Sequence, residues 1–248
     1  MPAPALVISL AVVGLFGFAV GSLVDLVVTR VPARVVAPAF PVRFRLVEFS
    51  TAVAFVAVTA WILLGDVPAG GPATDLAVSD WVAASLVLVA FLYLAAVSIA
   101  LVLIDIDVHR LPNAIVMPSY PVGLALLGGA AALRGDGAAV ARMLIGGGVL
   151  YLFYVMLRLI QPRGMGGGDV KLAGVLGMYL GWVGWVPLIV GALSAFVIGG
   201  LVSVVLMAAG RAHRRTTIAF GPFMLVGSWA GLTVGPVIAQ WYLGLSSS

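Results

Sequence analysis

The chain is a series of long apolar runs with its charges confined to the gaps between them. Of 248 residues, 63% are hydrophobic and only 9% charged, against roughly 25% charged in a soluble domain. A helix crossing the hydrocarbon core of a bilayer needs roughly 20 mostly apolar residues. Eight runs reach or approach that length: 4–29, 47–64, 81–104, 114–133, 139–160, 170–182, 187–209 and 220–243. In lipid a spanning segment must satisfy its own backbone polar groups, which leaves helices as the economical solution for runs of this kind. The expectation is an all-α polytopic integral membrane bundle of about eight transmembrane helices, forming a single membrane domain over residues 1–248. The first run exceeds the ~7–15-residue apolar core of a signal peptide and has no basic residue before it. It is read as a retained span.

The cationic residues set the orientation. With eight alternating spans, one side collects Arg30, Arg34, Arg43, Arg45, Arg110, Arg158, Arg163, Lys171, Arg211, Arg214 and Arg215, and the other only Arg134 and Arg142. Lys and Arg accumulate on the cytoplasmic side, so both termini are expected outside, with the short loop 30–46 and the acidic stretches inside. The alternation requires the short sixth run to be separate from the seventh, with a break near Gly184. A pI near 9.9 then reflects topology and attraction to anionic lipid, with no nucleic-acid partner implied. The absence of cysteine excludes disulfides, thiol nucleophiles and Cys-based zinc sites. Gly146-Gly147-Gly148 and Gly199-Gly200 lie inside apolar runs, where small residues favour close helix packing.

Two polar stretches interrupt this pattern at the same expected membrane face. In 164–171, Gly164-Met165-Gly166-Gly167-Gly168-Asp169-Val170-Lys171, four glycines surround an acid and a base, a composition that predicts a pliable turn feeding the next helix. In 105–113, Asp105 closes the third run and Asp107 follows two residues later. Acids at a membrane boundary are costly to desolvate and mark functional positions. Two carboxylates that share a site divide their roles, one holding a proton while the other stays charged. That division is what an aspartic protease needs: the charged acid activates water and the protonated one polarises the carbonyl. The same two residues admit a presenilin-like intramembrane protease, or an ion- or proton-coupled transporter, as rival readings. His109 and His213 are the only histidines, and no metal site is expected.

The motifs that accompany these acids resemble one family. Gly166-Gly167-Gly168-Asp169 fits the Gly-x-Gly-Asp signature of membrane aspartic proteases, and Asp105 followed by Leu111-Pro112-Asn113 is similar to the first catalytic motif of type IV prepilin peptidases. Gly21 to Pro32, Phe44 to Glu48 and Ala219-Phe220-Gly221-Pro222-Phe223 resemble further motifs of that family, in family order. The resemblance implies Asp105 and Asp169 as the catalytic pair, with Gly166, Gly168, Lys171, Pro112 and Asn113 supporting them. It implies a pilin-like precursor as substrate, cleaved after a short basic leader at the inner face of a bacterial-type cytoplasmic membrane, with no cofactor needed for proteolysis. Larger members also methylate the new N-terminus with S-adenosylmethionine. Here the loop that carries cysteine pairs in many members is short and cysteine-free, and Asp25 replaces the motif's Asn. Asp25, Glu48 and Asp107 are expected to form an acidic rim for the leader, and Phe220 and Pro222 to lie near the substrate.

Overall fold

The computed structural model of the protein describes residues 3–30, 43–64, 78–161, 165–210 and 219–246. These form eight helices: α1 (Ala3–Arg30), α2 (Arg43–Leu64), α3 (Val78–Val108), α4 (Asn113–Leu133), α5 (Gly137–Ile160), α6 (Gly167–Val183), α7 (Trp185–Ala208) and α8 (Gly221–Ser246). The protein is all-α, and seven of the helices are long and apolar enough to cross a membrane. The exception is α6, with 17 residues, or about 25 Å of helix. A break at Gly184 separates it from α7, as the charge pattern requires. The middle of the loop 30–46, the Arg211–Arg215 cluster and Arg163-Gly164 lie outside the described residues.

Two helix ends differ from the apolar runs. Where the third run stops at Ile104, α3 continues one further turn to Val108 and takes Asp105 and Asp107 into the helix. A helical turn depends on backbone bonds, and polar side chains at its end do not interrupt it. The sixth run starts at Val170, yet α6 starts at Gly167, so two of the four glycines are helical and do not form the pliable turn that their composition suggests.

The chain divides into two compact units. Unit 1 comprises Met1–Val108 and Ala125–Gly135; unit 2 comprises His109–Leu124 and Asp136–Ser248. The helix α4 contributes its first half to unit 2 and its second to unit 1. In unit 1, α1 and α2 pair through Gly14, Gly17 and Gly21, spaced along one face of α1. A Cβ added at Gly17 would stand 2.9 Å from the Ala52 Cα, and one at Gly21 would stand 2.5 Å from the Glu48 Cα. Trp61 of α2 meets Phe91 of α3 edge-on, with ring centroids 5.3 Å apart.

In unit 2 the same device recurs twice. Along α5 and α6, a Cβ on Gly146 would lie 2.6 Å from the Gly177 carbonyl oxygen, and one on Gly181 would overlap the Arg142 carbonyl. Along α7 and α8, Gly231 faces the backbone of Gly191, with 2.5 Å from its ideal Cβ to the Gly191 Cα. Helix α6 is buried along nearly its whole length, from Asp169 to Trp182 apart from Lys171. Helices that are apolar all round belong inside a bundle, and glycine lets their neighbours reach the backbone. Not every glycine in the runs serves this purpose, because Gly148 and Gly200 face open space. Several buried hydroxyls are satisfied within their own helices, as where Ser98 donates to the Leu94 carbonyl at 2.7 Å and Ser228 to the Met224 carbonyl at 2.8 Å.

The two classes of glycine should respond oppositely to substitution. Gly177→Val drives side-chain atoms into the backbone of α5 and should cost about 1–3 kcal/mol or more, the usual range for overpacking. Gly148→Ala adds a methyl to open space and removes a helix-interior glycine, for a gain of up to about 1 kcal/mol. Unfolding of the purified protein in detergent measures both, and equal effects would show that backbone approach is not what holds α5 to α6.

Candidate active site

Asp105 and Asp107 lie two residues apart on α3, which turns them about 200° from each other. Accordingly Asp105 is buried, with 4% of its surface exposed, and Asp107 is exposed. After Val108 the chain leaves the helix through His109, whose φ of 51° is in the left-handed region, a conformation that His adopts more readily than most residues. Leu111 is buried. The Pro112 carbonyl then accepts bonds from the amides of Ile115 and Val116 at 3.1 and 3.2 Å, which starts α4 at Asn113.

In unit 2, the first turn of α6 carries Asp169. Gly166, with extended φ −72° and ψ 152°, precedes the helix. Its amide donates to Asp169 Oδ2 at 2.9 Å, so the acid caps the helix that bears it. This is the return half of a capping box; glycine has no side chain to supply the other half. Asp169 is buried, in a position where the helix dipole stabilises negative charge. Gly168 lies against Leu111, whose Cβ would be 2.7 Å from a Cβ added there. Gly167 is covered in the same way by the Arg158 guanidinium, also at 2.7 Å.

Two hydrogen bonds complete the arrangement. Lys171 Nζ donates to Asn113 Oδ1 at 2.9 Å, and the Tyr120 hydroxyl donates to the Lys171 carbonyl at 2.7 Å. The structure therefore joins Gly168 and Lys171, which flank Asp169, to Leu111 and Asn113. Lys171 spends its ammonium on Asn113, a pairing that composition does not reveal. Tyr120 is a second omission. Its signal was its distance from Asn113: seven residues is two helical turns, which puts both on one face of α4.

Beyond this turn lies an aromatic group. Tyr154 of α5, which interacts electrostatically with Asp169, packs near Phe196 and Phe220 with centroids 5.7 and 6.3 Å away. Phe220 is in turn 5.4 Å from Phe196 and 6.3 Å from Phe223. Gly199 makes room for it, since a Cβ there would come within 3.2 Å of the Phe220 ring. Pro222 occupies the first turn of α8, where its missing N–H costs no helical bond.

Unit 1 places the remaining expected residues. The Ser22 hydroxyl donates to Glu48 Oε1 at 2.8 Å, directly beside the backbone contact of Gly21 with Glu48. The Gly21-Ser22 pair thus fastens α1 to the half-buried Glu48. Asp25, expected at an acidic rim, is instead buried, with 1% of its surface exposed. It lies one turn further along α1, on the face that also buries Val24 and Val28. Among the described residues, no group of three or more His, Asp or Glu could hold a metal ion.

Comparison with known proteins bears on the same stretches. The prepilin leader peptidase/N-methyltransferase of Aeromonas hydrophila is 35% identical over 157 residues, covering 62% of this chain and 52% of that protein. The protein of that name from Pseudomonas aeruginosa strain PAO1 is 31% identical over 150 residues, 58% of this chain and 49% of its own. The one from Neisseria gonorrhoeae is 30% identical over 213 residues, 82% of this chain and 62% of its own. The chain spans about half the length of most of these curated relatives. No solved structure matches it. Residues 86–204 match the type IV leader peptidase family, a stretch that contains Asp105, Asn113, Tyr120 and the whole Asp169 turn. Through that segment, just under half of its length, the chain resembles the type IV leader peptidase family.

Proposed function

We propose that the protein is a membrane aspartic endopeptidase that removes the short basic leader of type IV pilin-like precursors, with Asp105 and Asp169 as its catalytic pair. The observation that carries this reading is the burial of both carboxylates, each on a terminal helical turn within the family-matched segment. In the proposed reaction the charged member takes a proton from water, and the water oxygen attacks the carbonyl carbon of the scissile peptide. The protonated member donates a hydrogen bond to the carbonyl oxygen. Collapse of the tetrahedral intermediate breaks the C–N bond while a carboxyl proton passes to the departing amine. We assign the charged role to Asp169, because the Gly166 amide and the N-terminus of α6 face it.

We place the site at the cytoplasmic face of a bacterial-type inner membrane, a reading that the eleven cationic residues against two support. A basic leader approaching that face meets like charge, so local acids have to attract it. Glu48 and Asp107 fit that task; Asp25 does not, because it is buried. The precursor's apolar helix lies in the bilayer, and Phe220 and Pro222 are proposed to pack near it. The relatives' methyltransferase name suggests S-adenosylmethionine, but the Gly21-Ser22 stretch that resembles the family is taken up with helix packing. Glu48 fills the space above that glycine and holds that serine, so no methylation step is derived.

Three outcomes follow for the protein in liposomes with a synthetic precursor. Asp105→Asn and Asp169→Asn should each reduce cleavage by about 10²–10⁴-fold without affecting insertion, whereas Asp107→Asn keeps kcat. Strong turnover by either of the first two would end the dyad. A Glu48→Gln/Asp107→Asn double variant should raise KM a few-fold for a basic leader and leave a neutral leader unaffected; an unchanged KM would transfer recognition to anionic lipid. Cysteine introduced by Arg110→Cys should react with a membrane-impermeant thiol reagent only from the cytoplasmic side, and Ala138→Cys only from the opposite side. The reverse pattern would put the dyad on the wrong face.

A further inference from the structure

We infer that Tyr120 is a positioning residue: its hydroxyl, bonded to the Lys171 carbonyl, fixes the first turn of α6 and so sets the place of the Asp169 carboxylate. The inference rests on the proposed catalytic role of Asp169. It starts from the softness of that turn. Asp169 follows Gly166, Gly167 and Gly168, residues that give a helix start little rigidity of their own. Reactive groups need placement to within about 0.5 Å, so something outside the turn has to hold it.

Three contacts reach the turn from residues 111–120, and they differ in kind. Leu111 presses on Gly168, a contact with little directionality. The bond from Lys171 Nζ to Asn113 is exposed and lies at the end of a flexible four-carbon chain. The Tyr120 bond is part-buried, 2.7 Å long, and made directly to backbone two residues beyond Asp169. It comes from a side chain with two rotatable bonds before the ring. Of the three, only this contact is a hydrogen bond to the backbone.

The surroundings of Tyr120 are adapted to that bond. Its ring lies over Gly174, where any Cβ would overlap the hydroxyl. Gly174 is therefore a slot for the phenol. Tyr120 also sits between Pro118 and Pro121, both inside α4. Each removes one backbone hydrogen bond, so this stretch of α4 depends more than most on tertiary ties. The Lys171 carbonyl can accept the phenol and a helical amide together, because a carbonyl has two lone pairs.

Tyr120→Phe keeps the ring and deletes only the bond. In liposomes, with the precursor as substrate, kcat should fall about ten-fold while KM and thermal stability stay within error. Hydrogen exchange at the Gly166 amide, which Asp169 protects, should accelerate by a similar factor. Gly174→Ala, which expels the hydroxyl, should reproduce the kcat loss in the wild-type background and add little to Tyr120→Phe, since residues in contact couple. A Tyr120→Phe protein with wild-type kcat and exchange would overturn the inference, as would additive losses or a kcat loss that merely follows lowered stability. If the wild-type protein fails to cleave at all, the peptidase reading falls, and the exchange of Gly166 alone decides whether Tyr120 positions the turn.

Discussion

Helices in lipid gain almost nothing from burying apolar side chains against one another, because the surrounding acyl chains are equally apolar. What remains is dispersion, and dispersion rewards close approach. This protein obtains it by removing side chains. The α1–α2, α5–α6 and α7–α8 pairs all meet where glycine on one helix lies against backbone of the other. The consequence is greatest for α6, which is short, glycine-rich and buried from its first turn to its last. Its neighbours hold it in place through contacts that a single methyl group would obstruct.

The candidate catalytic turn inherits this scaffold. A carboxylate on a loop at the membrane boundary would be free to turn towards water, and would gain hydration by doing so. Asp169 instead caps its own helix through the Gly166 amide, which limits its side chain to a small range of orientations. The helix below is fixed by backbone contact with α5, and the turn itself by Leu111, Asn113 and Tyr120. Asp105 is likewise carried by a helix, the last turn of a 31-residue α3. Both acids thus stand on helical supports, where supporting geometry is more reproducible than on loops.

Much of this was legible from residue order alone. Each apolar run became one helix, and Gly184 separates the sixth from the seventh, because hydropathy and charge act over many residues at once. What escaped was local. The extra turn of α3 was hidden because Asp105 and Asp107 end the apolar run without ending the hydrogen-bonded helix. Gly167 and Gly168 read as a flexible loop, yet Leu111 and Arg158 press against them and they are helical. Asp25 reads as a surface acid, and its burial depends on which face of α1 it occupies. The partnership of Tyr120 with Lys171 joins residues 51 positions apart, and no local pattern encodes such a pair. Gly148 and Gly200 cannot be told from Gly146 and Gly199 without knowing what faces them.

The last turn of α3 has one more implication, for how such a sequence can vary. Asp105 and Asp107 are chemically identical, and only helical phase makes one buried and the other exposed. Each residue advances the helix by about 100°. One residue inserted within α3 ahead of them would rotate both acids by that angle relative to the rest of the helix, and the face now held by Asp105 would pass to a neighbour in sequence. Substitutions along the lipid-facing surface of α3 leave this phase untouched. The helix should therefore accept extensive exchange of its apolar residues while tolerating almost no change in its length, so that the spacing of the acids carries information that their identity does not.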